Sequence, residues 1–329
     1  MRMAIPCTRR FSRRVRRNWR NGCRLGVFNA LVFDLALGYA PRVKFQKIAI
    51  IGVGLLGGSI GLAVRERGLA GEVAGYVRRS ASLAECEQAG ALDYATTDLL
   101  AAVSGADLVI LCTPLAQMRA VATQFLPALS AGAVVTDVGS VKAGVVRDLE
   151  TLITRAGAHF VASHPMAGGE KTGVLAARAD LFANAVCVVT PTKKSHQPSV
   201  KAVEQFWQDL GARTLRLTPG EHDKLVSRSS HLPHVAAAAL ASQVLRPQKS
   251  TAQGALCATG FRDTTRIASG SPEMWRDIAL ANRSQLGAAV GTFIAELQKF
   301  QRSLAKRDER AVERFFATAK QRRDAWCAE

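Results

Sequence analysis

Several things this 329-residue chain lacks narrow its class at once. It has no apolar run approaching the roughly 18 residues that span a bilayer, which excludes an integral membrane helix. Its seven cysteines (Cys7, Cys23, Cys86, Cys112, Cys187, Cys257, Cys327) are odd in number, scattered and never paired as CxxC. That excludes a zinc ribbon and a disulfide scaffold, and points to reduced thiols in the cytoplasm. There is no internal repeat, no low-complexity tract and no Pro/Ser-rich linker. Charged residues make up 21% against 48% hydrophobic, the balance of a soluble globular protein and not of a disordered one. The length leaves room for two domains with buried cores.

Acids are nearly missing from one end. Residues 1–44 hold eleven Lys and Arg against the single acid Asp34, so that stretch carries +10 of the net +18. The basicity therefore sits mostly in a tail, and no nucleic-acid or membrane partner is inferred for the folded part. "RRFSRRVRRNWRNGCR" followed by "LGVFNALVFDLALGYA" is compatible with an Arg-rich targeting segment, a weak signal peptide, or a basic arm for RNA or anionic lipid. The reading adopted is an unfolded extension that takes no part in the fold.

What is present is strongly periodic. "KIAIIG" is a short apolar run closed by glycine, and "SIGLAVRERG" follows with Ile60, Ala63, Val64 and Arg67 at helical spacing. Further strands are predicted in "EVAGYV", "ADLVILCTP", "AVVTDVG" and "HFVAS", with helices in "LLAAVSG" and "KAGVVRDLETLITRAG" between them. Strands alternating with helices imply a doubly wound parallel sheet of the Rossmann type. "AVCVVTP" and "ARTLRLTP" are expected to extend that sheet around a helix in "SVKAVEQFWQDLG". Strand signals vanish near Pro219. "HVAAAALASQVL", "MWRDIALANRSQLGAAVGTFIAELQKFQRSL" and "ERAVERFFATAKQRR" are helical, with Leu286, Val290, Phe293, Ile294, Leu297 and Leu304 on one face. The expected architecture is thus a dinucleotide-binding α/β domain over 45–215 and an all-α domain over 216–329. The apolar helical face is expected to pack on a second copy, giving a homodimer.

"GVGLLGGS" places Gly52, Gly54 and Gly57 in GxGxxG spacing between a strand and a helix. The three glycines serve a tight turn, approach to a pyrophosphate and helix–strand closure, while the helix N-terminus offers free N–H groups to the anion. Leu55 and Leu56 within this turn, and Thr113 and Pro114 at the end of "ADLVILCTP", join the cofactor set. Where an NAD enzyme places an acid to hold the ribose 2′-hydroxyl, this chain has Val77, followed by Arg78, Arg79 and Ser80. Those residues suit a 2′-phosphate, so NADP is the expected cofactor, with NAD possible; two arginines after a strand are also common as plain solvated charge.

A nicotinamide cofactor implies hydride transfer, and hydride transfer from an alcohol calls for a base and for cations that hold the substrate's charges. "DVGSVK" puts Ser140, and "SHPMAGGEK" puts His164, in turns on the sheet edge where open parallel sheets bind ligands. "SSHLPH" and "GFRDTTRIA" bring His231, His234, Arg262 and Arg266 from the helical half.

These stretches, in this order and together with "MWRDI", resemble the prephenate and arogenate dehydrogenase family of tyrosine biosynthesis over about residues 45–300. The resemblance implies an NAD(P)-dependent oxidative decarboxylation of a cyclohexadienol. It implies that His164 accepts the proton of the ring hydroxyl, that Ser140 bonds to it or to the hydroxyl, and that Arg266 pairs with a substrate carboxylate, with Asp263 orienting the guanidinium. His234 would contact substrate with His231 in the adjoining turn, Glu170 would gate or shape the pocket, and Trp275 would complete the pocket from the partner subunit. Tyrosine inhibition, if the chain has it, would act within these two domains. The sequence departs from the family at Gly169, where relatives often carry threonine, and at Val77. His159 and His196 read as surface residues, and His222 as a first-turn helix residue. The HxxH of His231 and His234 lacks further ligands, so no metal is expected. Two other functions fit the fold: a β-hydroxyacid or imino-acid reductase, which would use a lysine as base, and a non-catalytic NADP-binding regulator.

Overall fold

A computed structural model of the chain describes residues 44–169, 171–246 and 251–328. The expected basic extension, apart from Lys44, lies outside the described residues, as does Glu170.

The central strand β1 (Phe45–Ile51) ends in Ile48, Ala49, Ile50 and Ile51, all fully buried. A strand covered by helices on both faces has to be apolar in succession rather than in alternation. From it the chain runs through α1 (Leu55–Glu66), β2 (Ala70–Tyr76), α2 (Ala81–Ala89), β3 (Tyr94–Thr96), α3 (Leu99–Val103), β4 (Leu108–Leu111), α4 (Leu115–Phe125), β5 (Val134–Asp137), α5 (Ala143–Arg155) and β6 (His159–Phe160). These strands form one parallel sheet in the order β3-β2-β1-β4-β5-β6. Each face has its own core: Ile48 and Ile50 pack with Ile60, Val64, Phe206 and Trp207. Ala49 and Ile51 pack with Met118, Phe125, Val135 and Leu149 on the other side. The strand order reverses between β1 and β4, which opens a crevice beyond their carboxyl ends.

Beyond β6 the structure departs from expectation. The residues after Phe160 stay extended but change partner: Val161 N donates to Val135 O at 2.9 Å, whereas Thr190 N donates to Ala162 O at 2.9 Å. β7 (Ser163–Pro165) then pairs antiparallel with β8 (Val186–Val189), and β8 pairs parallel with β9 (Arg213–Arg216). "AVCVVTP" and "ARTLRLTP" therefore form a second, three-stranded sheet instead of extending the first. The connections set the directions. A parallel pair needs a crossover, which α6 (Gln197–Asp209) supplies between β8 and β9; among the described residues, the segment between β7 and β8 has only a short turn at Val174–Ala176.

The rest is helical: α7 (Pro219–Val226), α8 (Leu232–Val244), α9 (Thr251–Ala255), α10 (Thr259–Thr265), α11 (Pro272–Ala281), α12 (Arg283–Ala305) and α13 (Glu309–Cys327). α7 starts on a capping box, Glu221 N donating to Thr218 Oγ1 and Thr218 N to Glu221 Oε2. A wide π-type turn at Ser227–His231 joins it to α8. The helix expected through "MWRDIALANRSQLG" is broken at Asn282, whose side chain is spent on a buried polar anchor. On α12, Leu286 and Ala289 are buried, but Phe293, Ile294, Leu297 and Leu304 are each at least 38% exposed in the single chain. α13 returns along α12, with the Phe315 ring centroid 4.6 Å from that of Phe300 and tilted to it. Among the described residues no helix is long and apolar enough to cross a membrane.

Candidate active site

Gly52 turns the chain out of β1 at φ 100°, and a Cβ there would lie 2.9 Å from the Cys112 carbonyl oxygen. A Cβ on Gly57 would lie 2.2 Å from the Gly52 oxygen, so that glycine lets α1 close onto the turn. Gly54 differs: a Cβ there would meet nothing within 4 Å, so the backbone faces open space. It also caps α1 without a side-chain bond, and no acid stands in the first turn. Across the crevice, at the end of β4, the Thr113 hydroxyl is buried without a partner, beside Pro114. Open space, uncapped N–H groups and an unsatisfied hydroxyl at the switch point fit a dinucleotide's pyrophosphate. Leu55 and Leu56 pack against the core beneath, and a Cβ on Gly169 would lie 3.7 Å from Leu55, which brings Gly169 beside the cradle. At the end of β2, Val77 is buried in the core while Arg78, Arg79 and Ser80 are exposed.

A buried ion pair anchors the next loop. The Lys142 ammonium bonds to Asp137 and donates to the Ser163 carbonyl at 2.7 Å, and both side chains are fully buried. Burial depresses the lysine's pKa, and the Asp137 carboxylate opposes that. Ser163 donates through Oγ to Asp137 O at 2.7 Å and accepts from Trp207 Nε1 at 3.0 Å. The residue immediately before His164 is thus clamped.

His164 is 7% exposed, on β7 beyond the carboxyl edge of the parallel sheet. Its Nδ1 lies 2.8 Å from His222 Nε2, and His222 Nδ1 lies 2.8 Å from Asp223 Oδ1. Asp223 also accepts from Lys142 N at 2.7 Å and Ala143 N at 2.9 Å, so a carboxylate on α7 caps α5, which has no side-chain cap of its own. Burial works against charge on Asp223, but the bonds from His222, Lys142 N and Ala143 N outweigh it and hold its pKa low. Burial likewise pushes His164 well below the usual imidazole range, aided by His222 and the Lys142 cation. His222 is lowered by burial, with the Asp223 bond opposing.

His231 closes the array. Asn282 Nδ2 donates to Asp223 O at 2.8 Å and lies 3.2 Å from His231 Nδ1. His231 Nε2 is buried with no hydrogen-bond partner, and burial pushes the ring's pKa to about 4, the Asp223 charge opposing. His234 donates from Nδ1 to Ser230 O at 2.9 Å. Its ring stacks on Trp275 at 3.7 Å. Trp275 thus lies against a histidine of its own chain, on α11, which follows directly on the turn that packs beside α8. His231 and His234 turn their Nδ1 atoms to different partners, and among the described residues no group of three metal ligands occurs.

Arg266 is exposed on the turn Arg266–Ser269, which packs against α8, the helix that carries His234. Arg262 and Asp263 are exposed beside it, so no buried pair forms between Arg266 and Asp263. Ser140 stands after β5, and of the two His164 ring nitrogens Nδ1 is taken by His222. Sequence reasoning missed Asp137, Lys142, His222, Asp223 and Asn282 as parts of the site. The available signals were an acid and a lysine bracketing "DVGSVK" and the adjacent pair in "EHDK"; neither specifies a partner.

A dinucleotide cradle at a parallel-sheet switch point, with neutral imidazoles on the same edge and a helical half closing over them, defines an NAD(P)-dependent dehydrogenase. The family models agree in detail. Residues 60–216 match the prephenate dehydrogenase nucleotide-binding domain and residues 218–321 the prephenate dehydrogenase dimerization domain. The chain is 33% identical over 279 residues to prephenate dehydrogenase of Bacillus subtilis, covering 84% of this chain and 75% of that protein. It is 33% identical over 267 residues to cyclohexadienyl dehydrogenase of Zymomonas mobilis, covering 80% and 90%. The crystal structure of prephenate dehydrogenase from Aquifex aeolicus with hydroxyphenyl propionate and NAD+ superposes with a TM-score of 0.78 at 32% identity, covering 84% of this chain and 97% of that one. The chain belongs to the prephenate dehydrogenase family.

Proposed function

We propose that this chain oxidatively decarboxylates prephenate, or its amino counterpart arogenate, to the corresponding 4-hydroxyphenyl product of tyrosine biosynthesis. The carrying observation is His164: a buried, neutral imidazole on the rim that also holds the dinucleotide cradle. When bound, the nicotinamide supplies the hydride acceptor. His164 takes the ring hydroxyl's proton, which is the role a neutral imidazole suits at cellular pH. Ser140, after the neighbouring strand, holds the hydroxyl in line. Arg266 binds a substrate carboxylate through its two-pronged guanidinium. His234, stiffened by Trp275, forms a wall of the substrate site, and the unsatisfied N–H of His231 offers a buried donor to it. Glu170 is assigned to the gate by family likeness alone. A β-hydroxyacid reductase reading would need a lysine base, whereas Lys142 is already committed to Asp137 and the Ser163 carbonyl.

The finer cofactor assignment is NADP, because Val77 offers no acid to the ribose and Arg78, Arg79 and Ser80 are exposed at that position. The exposed apolar face of α12 supports a homodimer, the working division of the chain is 45–215 and 216–329, and the working location is the cytoplasm. The test is absorbance at 340 nm with prephenate and arogenate against NAD and NADP. Reduction with carbon dioxide release is expected with at least one substrate; silence with both would favour a non-catalytic NADP-binding regulator. Arg78→Ala with Arg79→Ala should raise the KM for NADP about tenfold more than that for NAD, from lost charge-assisted bonds. Equal effects on both cofactors would refute the NADP assignment.

A further inference from the structure

The directions of the bonds around Asp223 follow from what each atom can do. Lys142 N and Ala143 N are backbone donors, and they reach the two different carboxylate oxygens, so both oxygens are acceptors. His222 Nδ1, on the same Oδ1, must therefore donate, which makes Nδ1 the protonated nitrogen of that ring. The other nitrogen, Nε2, is left as a lone pair 2.8 Å from His164 Nδ1, so His164 Nδ1 donates in its turn. The remaining atom, His164 Nε2, is then the lone pair. A doubly protonated His222 would reverse the middle bond, but that charge would sit buried near the Lys142 cation and the rings of His164 and His231, and burial already lowers the His222 pKa. Asp223 and Asp137 both favour that charge, but burial is the larger effect and leaves the ring neutral.

We infer that His222 is a positioning residue for the reaction: with Asp223 behind it, it holds His164 in the tautomer whose Nε2 is a free base and takes the positive charge away from that ring. The inference rests on His164 being the proton acceptor. The proton balance is simple. The substrate O–H bond breaks and an N–H forms at His164 Nε2; the His164 Nδ1–H breaks and an N–H forms at His222 Nε2. His164 ends neutral, and the charge rests on His222, whose Nδ1–H bonds to the Asp223 carboxylate. When product leaves, the two protons step back and the Nε2 proton passes to water. The charge is better placed there because His164 has the lysine and two imidazoles around it and no carboxylate bond, while His222 has one. Asp223 is fixed by its two backbone donors and, through its own carbonyl, by Asn282 at the α11–α12 break. The helical half thus sets the protonation state of a base carried by the sheet half.

The test uses the full-length protein with nitrogen-15 histidine. Its six histidines are few enough to resolve, and His164→Asn assigns the key ring. At neutral pH His164 should be neutral with the proton on Nδ1 and Nε2 bare; a proton on Nε2 in the free enzyme would overturn the inference. Kinetics give the second arm. His222→Asn should lower kcat about 10²-fold, with substrate KM and cofactor Kd within about threefold of wild type, and should add nothing in a His164→Asn background. Unchanged kcat, or an equal further loss in that background, would overturn it. If His222→Asn does not fold, His222→Gln and the wild-type spectrum decide between the two tautomers. Wild-type silence toward both substrates would defeat the functional reading alone, since the tautomer is read without substrate.

Discussion

The two halves of this molecule bury different things. In the sheet half, β1 alone feeds two cores, and Ile48, Ala49, Ile50 and Ile51 are shut away between helices contributed by the same chain. Among the described residues of the helical half, the buried apolar ones are Val226, Ala237, Ile278, Leu286 and Ala289, matched one for one by the buried polar residues His222, Asp223, Ser227, His231 and Asn282. Other large apolar side chains of this half, Phe293, Ile294, Leu297, Leu304 and Phe316 among them, lie on the outside. The sheet half therefore supplies its own hydrophobic stabilisation. The helical half spends its interior on a hydrogen-bonded array and must find apolar burial elsewhere, against another copy.

Four experiments would break or sharpen that contrast. The largest effect is expected for His164→Asn, which should lower turnover by about 10² to 10⁴ while cofactor binding, measured by fluorescence titration, stays within a few-fold; full turnover would place the base elsewhere. Lys142→Met leaves the buried Asp137 carboxylate uncompensated at the seam of the halves, and should cost about 3–5 kcal/mol in a urea titration. A loss under about 1 kcal/mol would mean that the sheet half absorbs the charge without the pair.

Acid should act mainly on the array. His164, His222 and His231 have folded pKa values below that of an unfolded imidazole, so the unfolded state binds more protons and stability falls as pH drops below about 6.5, continuing for His231 to about 4. Each imidazole that stays neutral should remove about 2 kcal/mol between pH 6.5 and 5. Asp223, with a depressed folded pKa, adds loss only below its unfolded value near 3.8. A flat urea midpoint from pH 7 to 5 would mean that the array takes up protons as unfolded imidazoles do, and a rising one that it is charged at neutrality. The smallest effect is expected for Leu297→Glu, which should weaken self-association about tenfold or more in sedimentation while leaving cofactor binding by the sheet half unchanged. An unaltered sedimentation profile would move the interface off α12.

Much of this was legible beforehand. "KIAIIG" followed by "GVGLLGGS" identifies β1, its glycine turn and α1, because hydrophobic period and glycine spacing are local signals. The apolar face of α12 is similarly local. The second sheet was not legible, because "AVCVVTP" reads as a buried strand whichever sheet or direction it takes; only the lack of a crossover helix between β7 and β8 decides. Asn282 hid in an otherwise continuous helical pattern, since what breaks the helix there is a remote carbonyl and a remote ring.

By itself the amino-acid order determined that there would be a parallel sheet, a dinucleotide cradle at the end of its first strand, a helical half with an apolar face, and a histidine on the rim. These depend on neighbours a few residues apart, and short-range spacing carries them. Only the tertiary structure decided that His222 and Asp223 stand behind that histidine, 58 and 59 residues along the chain, and that Lys142 lies buried between them and Asp137. A hydrogen bond depends on where two atoms end up, and no periodicity in the chain records which distant donor will meet which acceptor.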